Sequence, residues 1–320
     1  MPYRRYTNQT TRSGCLKSFV GGCFTTVFIF VLIIILLSSL DLPDINFDSD
    51  KTEAIKYKIH MDSLSTDKII TASYSWMFVN NILKKKKYNL TFSLIASQVN
   101  NAMVMIDKIG NMTFEELGLN PQYDYSDPQV QAEFVWTRIY QIVYRRSFST
   151  IFSIADGFNQ IFKNENLNAI DRVSFVISFV QYMKYDRPGG TLDLFAPLAA
   201  LAMKYGDCDT KAMLLYVLLE RMGIDCAMMW SYKYKHAMLG INVSARGEYK
   251  KIYGKKYYFL ETTYPGWTIG VLPPDFSNKR FWFVNEIDFN NYLEEEEINT
   301  QYNNSKKESD RRSKPSPAIP

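Results

Sequence analysis

Apolar and polar positions divide the 320-residue chain into an uncharged stretch, a strand-like region, a helical region, a mixed region and a polar end. Phe19 to Leu40 carries no charge, and Val27–Leu37 (VFIFVLIIILL) is continuously apolar. As a helix this stretch is about 33 Å long, which matches a hydrocarbon core of roughly 30 Å. Arg4, Arg5, Arg12 and Lys17 precede it, and Asp41, Asp44 and Asp48 follow. The positive-inside rule then predicts a single-pass membrane protein, with residues 1–18 cytoplasmic, 19–40 as anchor and the folded part extracytoplasmic, in the periplasm or at the cell surface. A cleaved signal peptide is the rival reading. It would want small residues at the cleavage site, where Leu36 and Leu37 stand before Ser38 and Ser39. Both readings deliver the same soluble portion beyond the membrane.

Residues 41–110 read as a linker and an accessory β segment, the linker being the polar stretch 41–55. Ile69–Asn80 and Tyr88–Ser97 are rich in β-branched and aromatic residues, as strands are. Lys84 to Lys87 fall between them and read as a solvated hairpin tip that discourages edge pairing, with a substrate or membrane role as the lesser alternative. Residues 98–185 carry mainly helical spacing. Asp127-Pro128 is a start signal, and Ile170, Val173, Val176, Ile177 and Val180 recur on one face of Asn168–Met183. Ala196-Pro197 opens a short helix after the break at Pro188-Gly189-Gly190. Asp209–Met222 is apolar on nearly every side through its middle, so it predicts a buried helix, with Gly223 as its stop. Strands are expected at Cys226–Tyr234, His236–Val243 and Tyr257–Thr263. Residues 290–320 become polar and charged and read as a disordered tail. The whole predicts an α+β class, the buried helix packing on an antiparallel sheet within a region spanning 111–289.

Charge changes the picture little. Of 37 basic residues, four precede residue 41, and the remainder balance the 33 acidic ones. A folded part without basic excess argues against nucleic acid as a partner. Two histidines and four cysteines limit the metal chemistry. Cys208, Cys226, His60 and His236 show no zinc-type spacing, so neither a metal nor a cofactor is expected.

The candidate chemistry lies in Gly206-Asp207-Cys208-Asp209-Thr210, where a loop enters the buried helix. Helix-terminal amides and the macrodipole favour negative charge, so the Cys208 thiol is expected to have a lowered pKa and to be partly thiolate. Cys226 starts an apolar strand, and a helix of about 21 Å separates the two cysteines, too far for a disulfide. A thiol nucleophile needs a base. His236 falls on the strand face opposite Ala237, Leu239, Ile241 and Val243, which are assigned to the core, so a cleft is expected on its side. Glu261, in the following strand, is the expected orienting carboxylate, a cross-strand neighbour of His236.

These segments resemble a known family. Gly206 to Ala212 opening a helix looks like the nucleophile motif of the transglutaminase-like superfamily of papain-type folds. Lys235-His236-Ala237 and Tyr258-Phe259-Leu260-Glu261-Thr262-Thr263 are similar to its histidine and acid strands. Phe179-Val180-Gln181-Tyr182 and Ile269-Gly270-Val271-Leu272-Pro273 also resemble bacterial members. The likeness covers about residues 165–275. The family usually carries Asp where this chain has Glu261. The resemblance implies a membrane-tethered thiol enzyme of transglutaminase-like fold, acting through Cys208, His236 and Glu261. Its reaction would be acyl transfer or amide and peptide hydrolysis on a protein or peptide substrate, cell-wall peptides included, with hydrolysis favoured. Gln181 is the candidate oxyanion side chain, beside the Cys208 backbone N–H. The alternative is a catalytically inactive binding or scaffold module of the cell envelope with the same fold.

Overall fold

The computed structural model describes residues 53–120, 122–287 and 307. The anchor expected at 19–40 and most of the tail expected at 290–320 lie outside the described residues. Among the described residues, no helix is long and apolar enough to cross a membrane.

In chain order the elements are β1 (Ile55–His60), β2 (Ile69–Val79), β3 (Lys85–Ile95), α1 (Ala96–Gly110), α2 (Pro128–Ser147), α3 (Phe152–Asn164) and α4 (Ala169–Gln181). They continue with β4 (Lys184–Tyr185), α5 (Pro197–Met203), β5 (Tyr205–Gly206), α6 (Cys208–Arg221), β6 (Cys226–Ser231), β7 (His236–Ile241), β8 (Tyr249–Ile252), β9 (Lys255–Leu260) and β10 (Phe283–Asn285). The class is α+β. A five-stranded antiparallel sheet runs in the order β10-β6-β7-β9-β8, and a three-stranded sheet runs β1-β3-β2, with β1 parallel to β3.

Three boundaries depart from the sequence reading. The linker expected to reach residue 55 ends earlier, because Ile55 already pairs with Tyr88. Lys85 to Lys87 belong to β3, opposite Val79, Phe78 and Met77, so the hairpin tip is Asn80–Lys84. The helical stretch 98–185 is four helices, the first two joined by a long connection (111–127) and the others by short turns. The β1–β3 sheet is also no appendage. One continuous hydrophobic core runs from Ile59 and Phe92 through Phe158 and Phe175 to Leu215 and Leu239. Trp76, Tyr88 and Phe175 meet there edge to face or tilted, with ring centroids 4.9–5.7 Å apart.

Helix α6 is the axis of this core. Every residue from Thr210 to Leu219 is buried, as an all-round apolar helix must be. The Asp207 side chain caps its start by accepting from the Thr210 N–H at 3.0 Å. Gly223, at φ +76°, turns the chain out of the helix, and the Ile224 N–H returns to the Leu219 carbonyl at 3.0 Å. Cys208 and Cys226, at the two ends of this unit, are both free and buried.

The five-stranded sheet is covered on both faces. Ala227, Met229, Met238, Tyr257, Phe259 and Trp282 form a second core on the side away from α6. The expectation that the His236 face of β7 looks into a cleft therefore needs correction. Met238 and Gly240 on that face are buried, because the segment 274–285 folds back and lays Trp282 and Phe276 across it. Only the His236 end of the strand reaches a cleft.

Candidate active site

Cys208, the first residue of α6, and His236, the first residue of β7, line one cleft of about 430 Å³. Trp136, Tyr140, Tyr185 and Trp230 form its aromatic walls, and Asp193, Arg187 and the deeply set Asp207 and Asp209 complete its polar lining. The cleft opens where a helix start and a strand start meet, so both side chains sit on regular structure.

His236 is held from two sides. Its Nε2 lies 2.8 Å from Glu261 Oε2, with the two side chains 11% and 3% exposed. Its ring stacks on Phe276, with centroids 4.6 Å apart and planes at 25°. Glu261 follows β9 directly. The pairing of Leu239 with Leu260, carried one step further, sets Glu261 opposite Met238, so the contact with His236 is a diagonal one. The other carboxylate oxygen accepts from the Thr263 N–H at 2.8 Å and the Thr263 hydroxyl at 2.6 Å. Burial would raise the Glu261 pKa, but the hydrogen bond and charge of His236 and the Thr263 donors hold it below the ordinary value. An ionised Glu261 fixes the hydrogen on Nε2 and leaves Nδ1 as the basic nitrogen.

The thiol is set differently from the sequence expectation. The Cys208 pKa is raised far above its usual value, first by burial and then by the negative charges of Asp209 and Asp207. The Cys208 thiol donates to Asp209 Oδ2 at 3.4 Å, while a backbone hydrogen bond from Ala237 acts in the opposite direction, toward thiolate. The helix terminus is present, but two carboxylates and an apolar surround outweigh its dipole, which contributes only about 1 kcal/mol. Asp209 also accepts from the Tyr140 hydroxyl. Its own pKa is raised by burial, and that of Asp207 is raised to about 7 by burial and by Asp209. The resting sulfur is therefore a protonated thiol.

Gln181, the candidate oxyanion donor, has its side-chain amide engaged by main chain. Its amide Nε2 donates to the Glu261 carbonyl at 2.8 Å and to the Trp267 carbonyl at 2.9 Å, so both amide hydrogens are committed. Gln181 instead ties the end of α4 to the loop after the acid strand. Lys211, one turn into α6, does the same work from the other side, and sequence reasoning passed it over. It is completely buried, and its Nζ donates to the carbonyls of Gln181 (3.0 Å), Met183 (2.9 Å) and Thr263 (2.8 Å). Burial lowers its pKa to about 7, against the pull of the Glu261 charge. A lysine inside an otherwise apolar helix was the signal that could have found it. His60 lies far along the chain, exposed at the end of β1, in a separate cleft with Lys58 and Asp156.

Asp207, Cys208 and Asp209 place their ligand atoms within 4.8 Å of one another. Asp207 is engaged as a helix cap and Asp209 by Tyr140 and the thiol, so hydrogen bonds within the chain account for the cluster. Compared with known proteins, the chain matches no family model, no curated protein and no solved structure.

Proposed function

We propose that this chain is a transglutaminase-like thiol acyltransferase or amidohydrolase, acting on a protein or peptide carboxamide. The observation that carries the reading is the Nε2–Oε2 contact of 2.8 Å between His236 and Glu261, at the mouth of a cleft that also holds the Cys208 thiol. An imidazole with one nitrogen held by a carboxylate, in a residue lining the same cleft as a thiol, is an arrangement suited to acyl transfer.

The thiol proton passes to His236 Nδ1 as sulfur attacks the carbonyl carbon. Glu261 stabilises the resulting imidazolium. Collapse of the tetrahedral intermediate returns that proton to the departing amine and leaves a thioester on Cys208. Water or a second amine then attacks the thioester and regenerates the thiol. The Cys208 N–H, at the start of α6, is the proposed backbone donor for the developing oxyanion. A protonated resting thiol makes nucleophile formation part of the attack rather than a pre-existing ion pair. Membrane tethering through residues 19–40 and an extracytoplasmic site remain part of this proposal.

A second reading, an inactive binding module of the same fold, is favoured by the raised thiol pKa. Thioester trapping separates the two. The full chain is incubated with amide-bearing peptides and quenched in acid, and an adduct on Cys208 is sought by mass spectrometry. A hydroxylamine-labile adduct absent from Cys208→Ala supports the enzyme. Equal signal from both proteins, or none, leaves the binding module.

A further inference from the structure

The β2–β3 hairpin ends in two large apolar side chains that cover nothing. Ile82 is 74% and Leu83 82% exposed. Leu83 also sits at φ +60°, a left-handed conformation that glycine and asparagine adopt readily and leucine does not. A strained, exposed leucine stabilises nothing within the fold, and such strain points to a task elsewhere.

The tip is not floppy. The Leu83 N–H bonds the Asn80 carbonyl at 3.0 Å, and the Asn80 side chain accepts from the N–H groups of Ile82 (3.2 Å) and Lys84 (2.8 Å). The Asn81 N–H bonds Asp171 Oδ1 at 2.8 Å, which fixes the tip to the first turn of α4 beside exposed Ile170. The two apolar side chains are therefore held out in a defined pose.

Lysines surround them. Lys84, Lys85 and Lys87 are exposed and make no ion pair with a described residue. Lys85 and Lys87 stand directly across the hairpin from half-exposed Val79 and Met77. Nearby acidic groups are already engaged. Glu165 binds Lys86, Tyr57 and Tyr88, and Asp171 binds Asn81 and Asn168. The patch thus joins an apolar point to an uncompensated positive collar, complementary to a lipid surface that is apolar inside and anionic at its headgroups.

We infer that the hairpin tip Asn80–Lys87 docks onto an anionic phospholipid surface, with Ile82 and Leu83 entering the headgroup boundary and Lys84, Lys85 and Lys87 meeting the phosphates. This contact is independent of the thiol chemistry and of any anchor. It orients the folded domain at a membrane rather than merely tethering it.

The test is hydroxyl-radical footprinting of the full chain in lipid nanodiscs of phosphatidylcholine alone and of phosphatidylcholine with phosphatidylglycerol. Oxidation at Ile82 and Leu83 falls about fivefold or more when the anionic lipid is present, while the equally exposed Leu64 and Tyr253 keep their rates. High salt, or Lys84→Gln with Lys85→Gln and Lys87→Gln, restores the oxidation. Leu83→Asn, which suits the left-handed backbone and so preserves the fold, weakens protection of Ile82. Equal rates in both discs overturn the inference. So does protection that appears in lipid-free detergent and grows with protein concentration, since a second copy would then be the occupant.

Discussion

Replacing Asp209 by Asn tests why the thiol stays protonated. Asn keeps an acceptor for the Tyr140 hydroxyl and nearly the same volume, so the helix start should hold. What disappears is a negative charge 3.4 Å from the sulfur. At that separation a carboxylate and a thiolate repel by about 5 kcal/mol at an effective dielectric of about 20. The full amount is not recovered, because burial raises the Asp209 carboxyl pKa and the burial of the thiol itself persists in the variant. A gain of about 1.4 kcal/mol or more, at least tenfold in thiolate population, is the expected net effect. The assay is alkylation by iodoacetamide followed from pH 6 to 10, with Cys208→Ala subtracting the other cysteines. The parent should react slowly. Its rate should also rise less steeply above pH 7 than a single titration allows, because Asp207, with a pKa of about 7, ionises there and adds a second repelling charge. Asp209→Asn should react at least tenfold faster at pH 8. A variant rate within twofold of the parent would refute the electrostatic account and leave burial alone to explain the thiol.

Lys211→Met removes three donors and strands three buried carbonyls, so urea unfolding should show a loss of about 3–5 kcal/mol; a change under about 1 kcal/mol would mean that the ammonium clamps nothing. Glu261 has a folded pKa below its unfolded one, so its stabilisation is fully present above about pH 4.3 and drains away as the pH falls through the folded value. Glu261→Gln should accordingly flatten the stability curve below that pH, and urea midpoints running parallel in parent and variant would contradict the shift. Gly157→Ala places a Cβ 2.5–2.8 Å from three carbons of Ile59, which should destabilise by about 1–3 kcal/mol in thermal unfolding, with Ile59→Val recovering part. Full additivity of those two changes would show that the contact is not what resists the methyl group.

The sequence revealed most where a single element dictates its own surroundings. Helix α6 was legible because apolar residues on all sides and a closing Gly are local facts. The contact between His236 and Glu261 followed from strand alternation and from the scarcity of histidine. What escaped was set by distant chain. The segment 274–285 covers the second face of the sheet, and its few apolar residues have no periodicity, so β10 and the burial of Met238 were not foreseen. The thiol shift escaped for a related reason. Helix-end dipoles are visible in a sequence, but the depth at which Asp207 and Asp209 lie is a property of everything packed around them. Gln181 looked like a donor to the substrate and Lys211 drew no reading, and only the fold shows that both grip main-chain carbonyls.

The grip of Lys211 has a consequence for how the site comes into being. One of its three acceptors, the Thr263 carbonyl, lies 52 positions further along the chain. A ribosome delivers the sulfur-bearing helix well before that acceptor and before the carboxylate that steadies the imidazole. Until residue 263 has emerged, the lysine cannot complete its set of partners, and the His236 ring lacks the Glu261 carboxylate that holds it until residue 261 has emerged. The nascent chain therefore carries Cys208 as an ordinary thiol, and the buried setting between two carboxyl groups arises only once the later strands have closed over it.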